Sequence, residues 1–420
     1  VNETAPDDDA PEDAPDGAAP LTRPAMPFPE FVAMMALLMS LMALSIDAML
    51  PALADIARAV TPDAPNLAQL VIPAFLLGVG IGTVTLGPLS DTTGRKKMIA
   101  FGIGVYIVGS LLAAVADSLW LLLGARVLQG FGIAAPRTAG IALIRDIYKG
   151  RRMAQVMSIV MTIFIIVPAA APFLGQGVIW LAGWRAIFIA FVLVGAGALI
   201  WIGLRQPETL PPPARRPYQL ARILHAAGEV VGNRRVVLYI GALSLAFGQM
   251  FGLLSNSQPI YDIYFDKAAS FPAWFALMAL LAGGAGLVNA AFVMRLGMRR
   301  IATATFTAQA VISGAMILLW GGGYVPQAVE FTVFFLWSTG VFFMAGLVFG
   351  NLNALCLEPL GHIAGVAAAV VGASATLIAV IVATPIGLAF DGTPYPLMIS
   401  IFLCSSAAMF LMRATRLTEI

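Results

Sequence analysis

Gly87-Pro-Leu-Ser-Asp91-Thr-Thr-Gly94-Arg-Lys-Lys97 closes one apolar run, 67–89, and leads into another, 98–116, and each run is long enough to cross a bilayer as a helix. Glycine and proline turn the chain here, and one acid and three bases crowd onto the turn. Met294-Arg-Leu-Gly297-Met-Arg-Arg300 stands at the equivalent place later in the chain, between the runs 271–294 and 301–321. Aligning Gly94 with Gly297 sets Met294 opposite Asp91, so the second copy has lost its acid. A turn that recurs between the second and third runs of each half points to a duplicated chain.

Outward from these turns the runs fall at 31–54, 67–89, 98–116, 118–143, 154–181 and 184–204, then at 236–261, 271–294, 301–321, 331–356, 364–390 and 395–412. Between the sixth and seventh lies the one long polar connection, with Pro207, Pro211, Pro212, Pro213 and six arginines between 205 and 235. With 60% apolar residues, 11% charged residues and a mean hydropathy of +0.90, lipid is the solvent for most of this surface. The expected fold is an all-α membrane protein of twelve transmembrane helices in two pseudo-symmetric six-helix halves. Its expected parts are an acidic, disordered tail (1–28), a first half (29–205), a linker (206–235), a second half (236–412) and a C-terminal end (413–420). Cys356 and Cys404 both lie in apolar runs, which excludes a disulfide framework and a cysteine-based zinc site.

The first twenty residues hold seven acids (Glu3, Asp7, Asp8, Asp9, Glu12, Asp13, Asp16) and no base. That leaves 15 acids against 24 bases, net +9, for the rest. The tail lacks the basic flank and cleavage site of a signal peptide. With the N-terminus in the cytoplasm, 19 of the 24 Lys and Arg fall on cytoplasmic segments and only Arg58, Arg185 and Lys267 fall outside. Translocation of basic loops is disfavoured, so both ends of the chain are expected on the cytoplasmic side of a bacterial inner membrane.

Several segments resemble known motifs. The 87–97 turn resembles the loop signature of the major facilitator superfamily. Asp47-Ala-Met-Leu-Pro-Ala-Leu53 resembles the first-span motif of its drug:proton antiporters. Arg126-Val-Leu-Gln-Gly130, running on to Ala142-Leu-Ile-Arg-Asp-Ile-Tyr148, resembles their fourth-span motif. Pro168-Ala-Ala-Ala-Pro-Phe-Leu-Gly175 with Gly183-Trp-Arg-Ala-Ile-Phe188 resembles their fifth span and its exit. Together they are most similar to the bicyclomycin/chloramphenicol-resistance branch, over about 31–412. The resemblance implies a proton-coupled transporter, with Asp47 and Arg126 serving coupling. It also implies a cytoplasmic gate built from Gly87, Asp91, Gly94, Arg95, Lys96, Arg145 and Asp146.

The residues themselves support part of this. Only Asp47, Arg126 and Arg137 are charged deep within the assigned spans, and each costs at least ~2.5–3.5 kcal/mol at a helix centre unless paired or hydrated. Asp47 and Arg126 lie about seven and eight residues from the outer ends of their spans, so at ~1.5 Å per residue they sit at similar depth and are expected to meet. The plainer reading is a static ion pair locking two helices; the sharper one is a carboxylate alternating between arginine and a proton. Arg137 departs from the motif, which has a small or polar residue there. It follows Arg126 on the same helix face, ~16 Å away, near Gln129. Either it snorkels toward the cytoplasm or binds Asp91 or Asp146, or it is a cavity charge for an anionic or zwitterionic cargo. Asp91 is expected to latch the halves through the N-terminus of span eleven, near Gly361–Gly365.

Gln129, Arg137, Gln249, Asn256, Asn289 and Asn353 are the candidate substrate contacts; the amides serve equally as interhelical bonds. No metal site is expected. Met35 and Met39 with Met42, and Met153, Met157 and Met161, recur at helical spacing. Such stripes are packing first and copper ligands only as a minority reading. Pro168, Pro172, Gly175 and Gly177 read as a bend and a close-packing face. His225 and His362 are solitary, and with no phosphate-binding loop the proton gradient is the energy source, with no cofactor. The function expected is export of a drug or small metabolite by a non-enzymatic, monomeric secondary transporter. Its partners are a small molecule and the lipid bilayer, with no nucleic acid. Uptake of copper or of a small anion is the alternative, and a transport-inactive receptor or assembly factor is the reading from another class. The orientation has a direct check: cysteines placed in the 206–235 linker should resist a membrane-impermeant thiol reagent in intact cells, and labelling there would reverse the topology.

Overall fold

The computed structural model describes residues 25–215 and 217–415; most of the acidic tail and Arg416 lie outside them. α1 (Phe28–Asp47) and α2 (Leu53–Val60) make the first crossing, separated by a single tight turn, Leu50–Ala52. α3 (Val71–Thr93), α4 (Arg95–Ala114), α5 (Leu119–Ile147), α6 (Gly150–Ala182) and α7 (Arg185–Arg205) complete six crossings. α9 (Arg234–Pro259), α10 (Phe271–Leu296), α11 (Met298–Gly321), α12 (Gln327–Leu357), α13 (Ala364–Leu388) and α14 (Tyr395–Ala414) supply six more. The result is the expected two halves of six. Helices outrun the apolar edges by a few residues, as in α5, which carries its polar end to Ile147.

The linker is not merely a connection. It contains α8 (Leu220–Gly232), which buries Ile223, Ala226 and Val230 at helical spacing. Prolines at 211–213 delay its start. Asn233 ends it and caps α9, its side-chain oxygen accepting from the amides of Arg235 (3.1 Å) and Val236 (3.3 Å).

The face carrying the turns at Gly94 and Gly297 and the linker is here the basic face, and the opposite one the far face. α3 packs on α13 and α6 on α10 across the two halves. On the far face Asn66 donates to the carbonyls of Phe390 (2.5 Å) and Leu388 (3.4 Å), and Gln69 lies against Gly387. On the basic face no hydrogen bond or ion pair between described residues joins α1–α7 to α9–α14. The halves are thus fastened to each other on the far face.

The break in the first crossing positions the site. Pro51 has no amide hydrogen, and its ring collides with the carbonyl four residues back, so α1 stops at Asp47. The Ser45 carbonyl loses its helical partner as a result. α6 presses on this break: a Cβ at Gly175 would overlap the Ala48 carbonyl, so only glycine fits. The Pro168–Gly175 segment therefore acts as the expected close-packing face, whereas Gly177 faces open space.

Candidate functional site

Arg126 is completely buried on α5. Its guanidinium donates to the Ser45 carbonyl from Nη2 (3.2 Å), to the Val71 carbonyl from Nε (3.4 Å), and to Gln129 Oε1 from Nη1. It also lies over the Phe75 ring, 4.4 Å from the centroid. Gln129 passes the network on by donating to Ser110 Oγ (2.8 Å), and Ser110 donates to the Tyr106 carbonyl (2.8 Å). The Tyr106 phenol meets Ser45 Oγ at 2.8 Å, and Ser45 Oγ donates to Leu41. α1, α4 and α5 are thereby tied into one closed ring around a cation. Charge-assisted hydrogen bonds worth about 1.5–3 kcal/mol each and the ring face are enough to hold Arg126 at this depth without a counter-ion. Gln129 is fully buried and serves this ring, not a cavity wall.

The expected ion pair is not made. Asp47 is buried (6% exposed) at the end of α1, two residues beyond the carbonyl that Arg126 takes, and among the described residues no cation pairs with it. Depth alone brought the two groups together in the sequence reading. The structure gives the arginine a nearer acceptor, a carbonyl freed by the helix break. Ser45, Tyr106 and Ser110 were not foreseen; a lone tyrosine and a serine four residues apart in an apolar run were the available signal.

On the basic face Gly94 holds φ +108° and forms the corner between α3 and α4, a conformation that a side chain rarely adopts. Arg95, just past it, is the hub of the gate cluster. Its Nη1 meets Asp91 Oδ1 at 2.5 Å and donates to Ser90 Oγ at 2.7 Å, and its Nε meets Asp146 Oδ2 at 3.3 Å. Thr209 Oγ1 donates to the same Asp146 oxygen (3.1 Å). Lys96 donates to the Gly203 carbonyl at the end of α7 (2.7 Å). Gly87 lies against Thr138 of α5. Arg145 is exposed and acts on Asp146 through its charge. The latch from Asp91 to span eleven is not formed; Asp91 spends its charge on Arg95 four residues along, within its own half, though its carboxylate stays 46% exposed.

Glu208, at the start of the linker, was not foreseen. Its Oε1 accepts from the backbone amides of Arg95 (2.8 Å), Thr209 (3.1 Å) and Leu210 (3.1 Å), closing the open N-terminus of α4. Glu229 of α8 lies between His225 (3.0 Å) and His362 (2.7 Å), which clips α8 to the α12–α13 connection. The two histidines are therefore not solitary. A cleft of about 810 Å³ opens beside this clip, lined by Asn233, Arg234 and Leu360 among others. Among the described residues no His, Cys, Asp and Glu cluster is fit to hold a metal.

The second-half amides prove to be packing bonds. Gln249 is fully buried, accepting from Ser405 (2.9 Å) and touching Met344 Sδ (3.9 Å). Asn256 donates to the Gly252 and Ile386 carbonyls. Asn289 accepts from Asn351 (2.7 Å), and Asn353 donates to Phe349 in its own helix. Gln249, Asn256 and Asn289 are engaged by other residues of the second half, while Asn353 bonds within its own helix and Asn289 and Asn353 stay partly exposed. Met35 and Met39 are core residues, while Met153 and Met157 are half-buried and Met161 is 39% exposed. Arg137, by contrast, is exposed in mid-helix, and among the described residues its one hydrogen-bond partner is Met42 Sδ, at 3.8 Å.

The family model described as Major Facilitator Superfamily matches residues 34–384. The bicyclomycin resistance protein homolog of Haemophilus influenzae is 26% identical over 381 residues, 89% of this chain and 93% of the relative. The chloramphenicol resistance protein of Pseudomonas aeruginosa is 29% identical over 353 residues, 79% and 77% of the two chains. The crystal structure of a point mutant of the nucleoside transporter NupG shares the fold at a TM-score of 0.70 and 12% identity, covering 92% of this chain and 98% of that one.

Glu208→Ala should leave three amides without their acceptor and free the linker from the gate turn, at a cost of about 1–3 kcal/mol. A lower midpoint of thermal unfolding and faster proteolysis between 206 and 219 are the expected results. Unchanged protection would mean that the carboxylate does not hold the linker.

Proposed function

The chain belongs to the Major Facilitator Superfamily, and from that premise we propose that this membrane transporter is a proton-driven exporter of drugs or small metabolites. It works by alternating access, with the basic face and both termini in the cytoplasm. The observation that carries the reading is the buried carboxyl of Asp47, unpaired among the described residues, at the end of a helix whose Ser45 carbonyl is held by a buried arginine with neutral partners. An ionised carboxylate at that depth is costly without a counter-ion, and two species are able to neutralise it, a proton or Arg126.

In the proposed cycle Asp47 carries a proton while Arg126 grips the Ser45 carbonyl. When the proton leaves, the guanidinium shifts from that carbonyl to the carboxylate. The shift moves the broken end of α1 relative to α5, and α6 follows because Gly175 rides on the break. A far-face-fastened state, as seen here, is open to the basic side for loading. Opening the far face breaks the Asn66 bonds, and the Asp91–Arg95–Asp146 cluster then faces new partners from α9–α14. Names of relatives that include bicyclomycin and chloramphenicol resistance support export of a drug-like cargo.

Asp47→Asn should abolish proton-driven concentrative transport in proteoliposomes while the protein still folds. Arg126→Ala should do the same and lower thermal stability, since the ring from Ser45 to Gln129 loses its centre. Full concentrative transport by Asp47→Asn would make the acid structural and remove the basis of the coupling.

A further inference from the structure

Arg137 is the one residue on α5 exposed between Gly124 and Arg145. Along that stretch the helix is enclosed by α1, α3 and α4. The side chain reaches Met42 of α1, whose thioether is a weak acceptor, and no other hydrogen bond or ion pair engages it among the described residues. Ten residues separate it from the end of α5 on the basic face, about 15 Å along the axis.

A guanidinium at that depth has two static explanations, and the structure removes both. Asp91 and Asp146, the carboxylates near enough in sequence and depth to neutralise it, are engaged by Arg95 at 2.5 and 3.3 Å. Exposure to hydrocarbon would leave five donors without partners, an arrangement that membrane helices avoid. The exposed face, on the side of α5 that reaches Met42 of α1, must therefore meet water. Arg126, about three turns back on the same helix face, adds a second positive charge, and Asp47 is the one buried acid among the described residues.

We propose that Arg137 is a cargo-binding residue and that the cargo is an organic anion whose carboxylate, sulfonate or phosphate it holds. A planar fork of donors matches such a group bidentately, and a net positive interior attracts anions while repelling the lipophilic cations that a negative interior would select. Motion of an anion outward and a proton inward both run with an inside-negative membrane potential, so export of such a cargo draws on the potential twice. This inference rests on the export reading for the direction of movement, though not for binding itself.

The test is binding to the purified protein in detergent, with no gradient applied. Three probes share one ring system and differ in charge: naphthoate, naphthylmethylammonium and naphthamide. The native protein should bind naphthoate roughly tenfold tighter than the cation, the scale of a charge-assisted contact. Arg137→Gln should erase that preference and leave naphthamide unchanged, and Arg137→Lys should keep the preference at reduced strength. A native protein that prefers the cation, that fails to bind naphthoate, or whose Arg137→Gln variant binds naphthoate as before overturns the assignment. The native comparison stands even if a variant misfolds. Concentrative transport by Asp47→Asn would sink proton-coupled export and leave this result untouched.

Discussion

A guanidinium that is fully buried inside a membrane protein must find acceptors on every side, and the acceptors that Arg126 finds organise the first half. A backbone carbonyl of α1 is available to it because Pro51 stops that helix one turn early. The carbonyl of Val71 is available at the start of α3. Gln129 lies one turn along its own helix and leads through Ser110 to Tyr106 and back to Ser45. Break, arginine and ring are mutually dependent: heal the break and the arginine loses an acceptor, remove the arginine and the ring loses its donor. Asp47 sits two residues beyond the carbonyl that Arg126 holds, buried and, among the described residues, without a cation. In the proposed cycle such a residue chooses between a proton and that arginine, which would couple a proton to a helix movement.

The same economy governs the basic face. Arg95 gathers Asp91, Asp146 and Ser90 around the corner that Gly94 makes, and Glu208 seals the exposed amides of α4 from the linker side. The linker is consequently tied to this turn. At its other end α8 is clipped to the α12–α13 connection through Glu229 and His362. One segment thus reaches from the gate turn of the first half to the corresponding end of the second. A movement of either half pulls on both attachments, while the far face is fastened through Asn66 alone among the described side chains.

The twelve crossings were legible because lipid selects for apolar length, and the order of turns and basic loops followed from the same constraint. Asp47, Arg126 and Arg137 were legible because charge at that depth is rare. Their partners were not. Rise per residue places two side chains at the same depth to within a turn, but the acceptor that Arg126 takes is a carbonyl exposed by a helix break. Backbone acceptors carry no signature in the side-chain sequence. Gln249 and Asn256 share a helix face as read, yet that face turns toward α13 and α14 rather than toward open space. The opposite error befell Arg137. Its pairing with Asp91 or Asp146 was reasonable from spacing alone and failed because Arg95, closer to both, collects the two acids. α8 escaped notice since thirteen residues between prolines and a polar cap fall below the length at which hydropathy speaks.

If Asp47 couples transport to the gradient, it exchanges a proton at its site in the membrane. Infrared difference spectroscopy of the purified, lipid-reconstituted protein, stepped in pH without any cargo, reads this directly through the carbonyl stretch of a protonated carboxylic acid. The native protein should show a carboxyl band that disappears as pH rises through the range in which it transports, and that is absent from Asp47→Asn at every pH. A native spectrum with no pH-dependent carboxyl band lost in Asp47→Asn would contradict it.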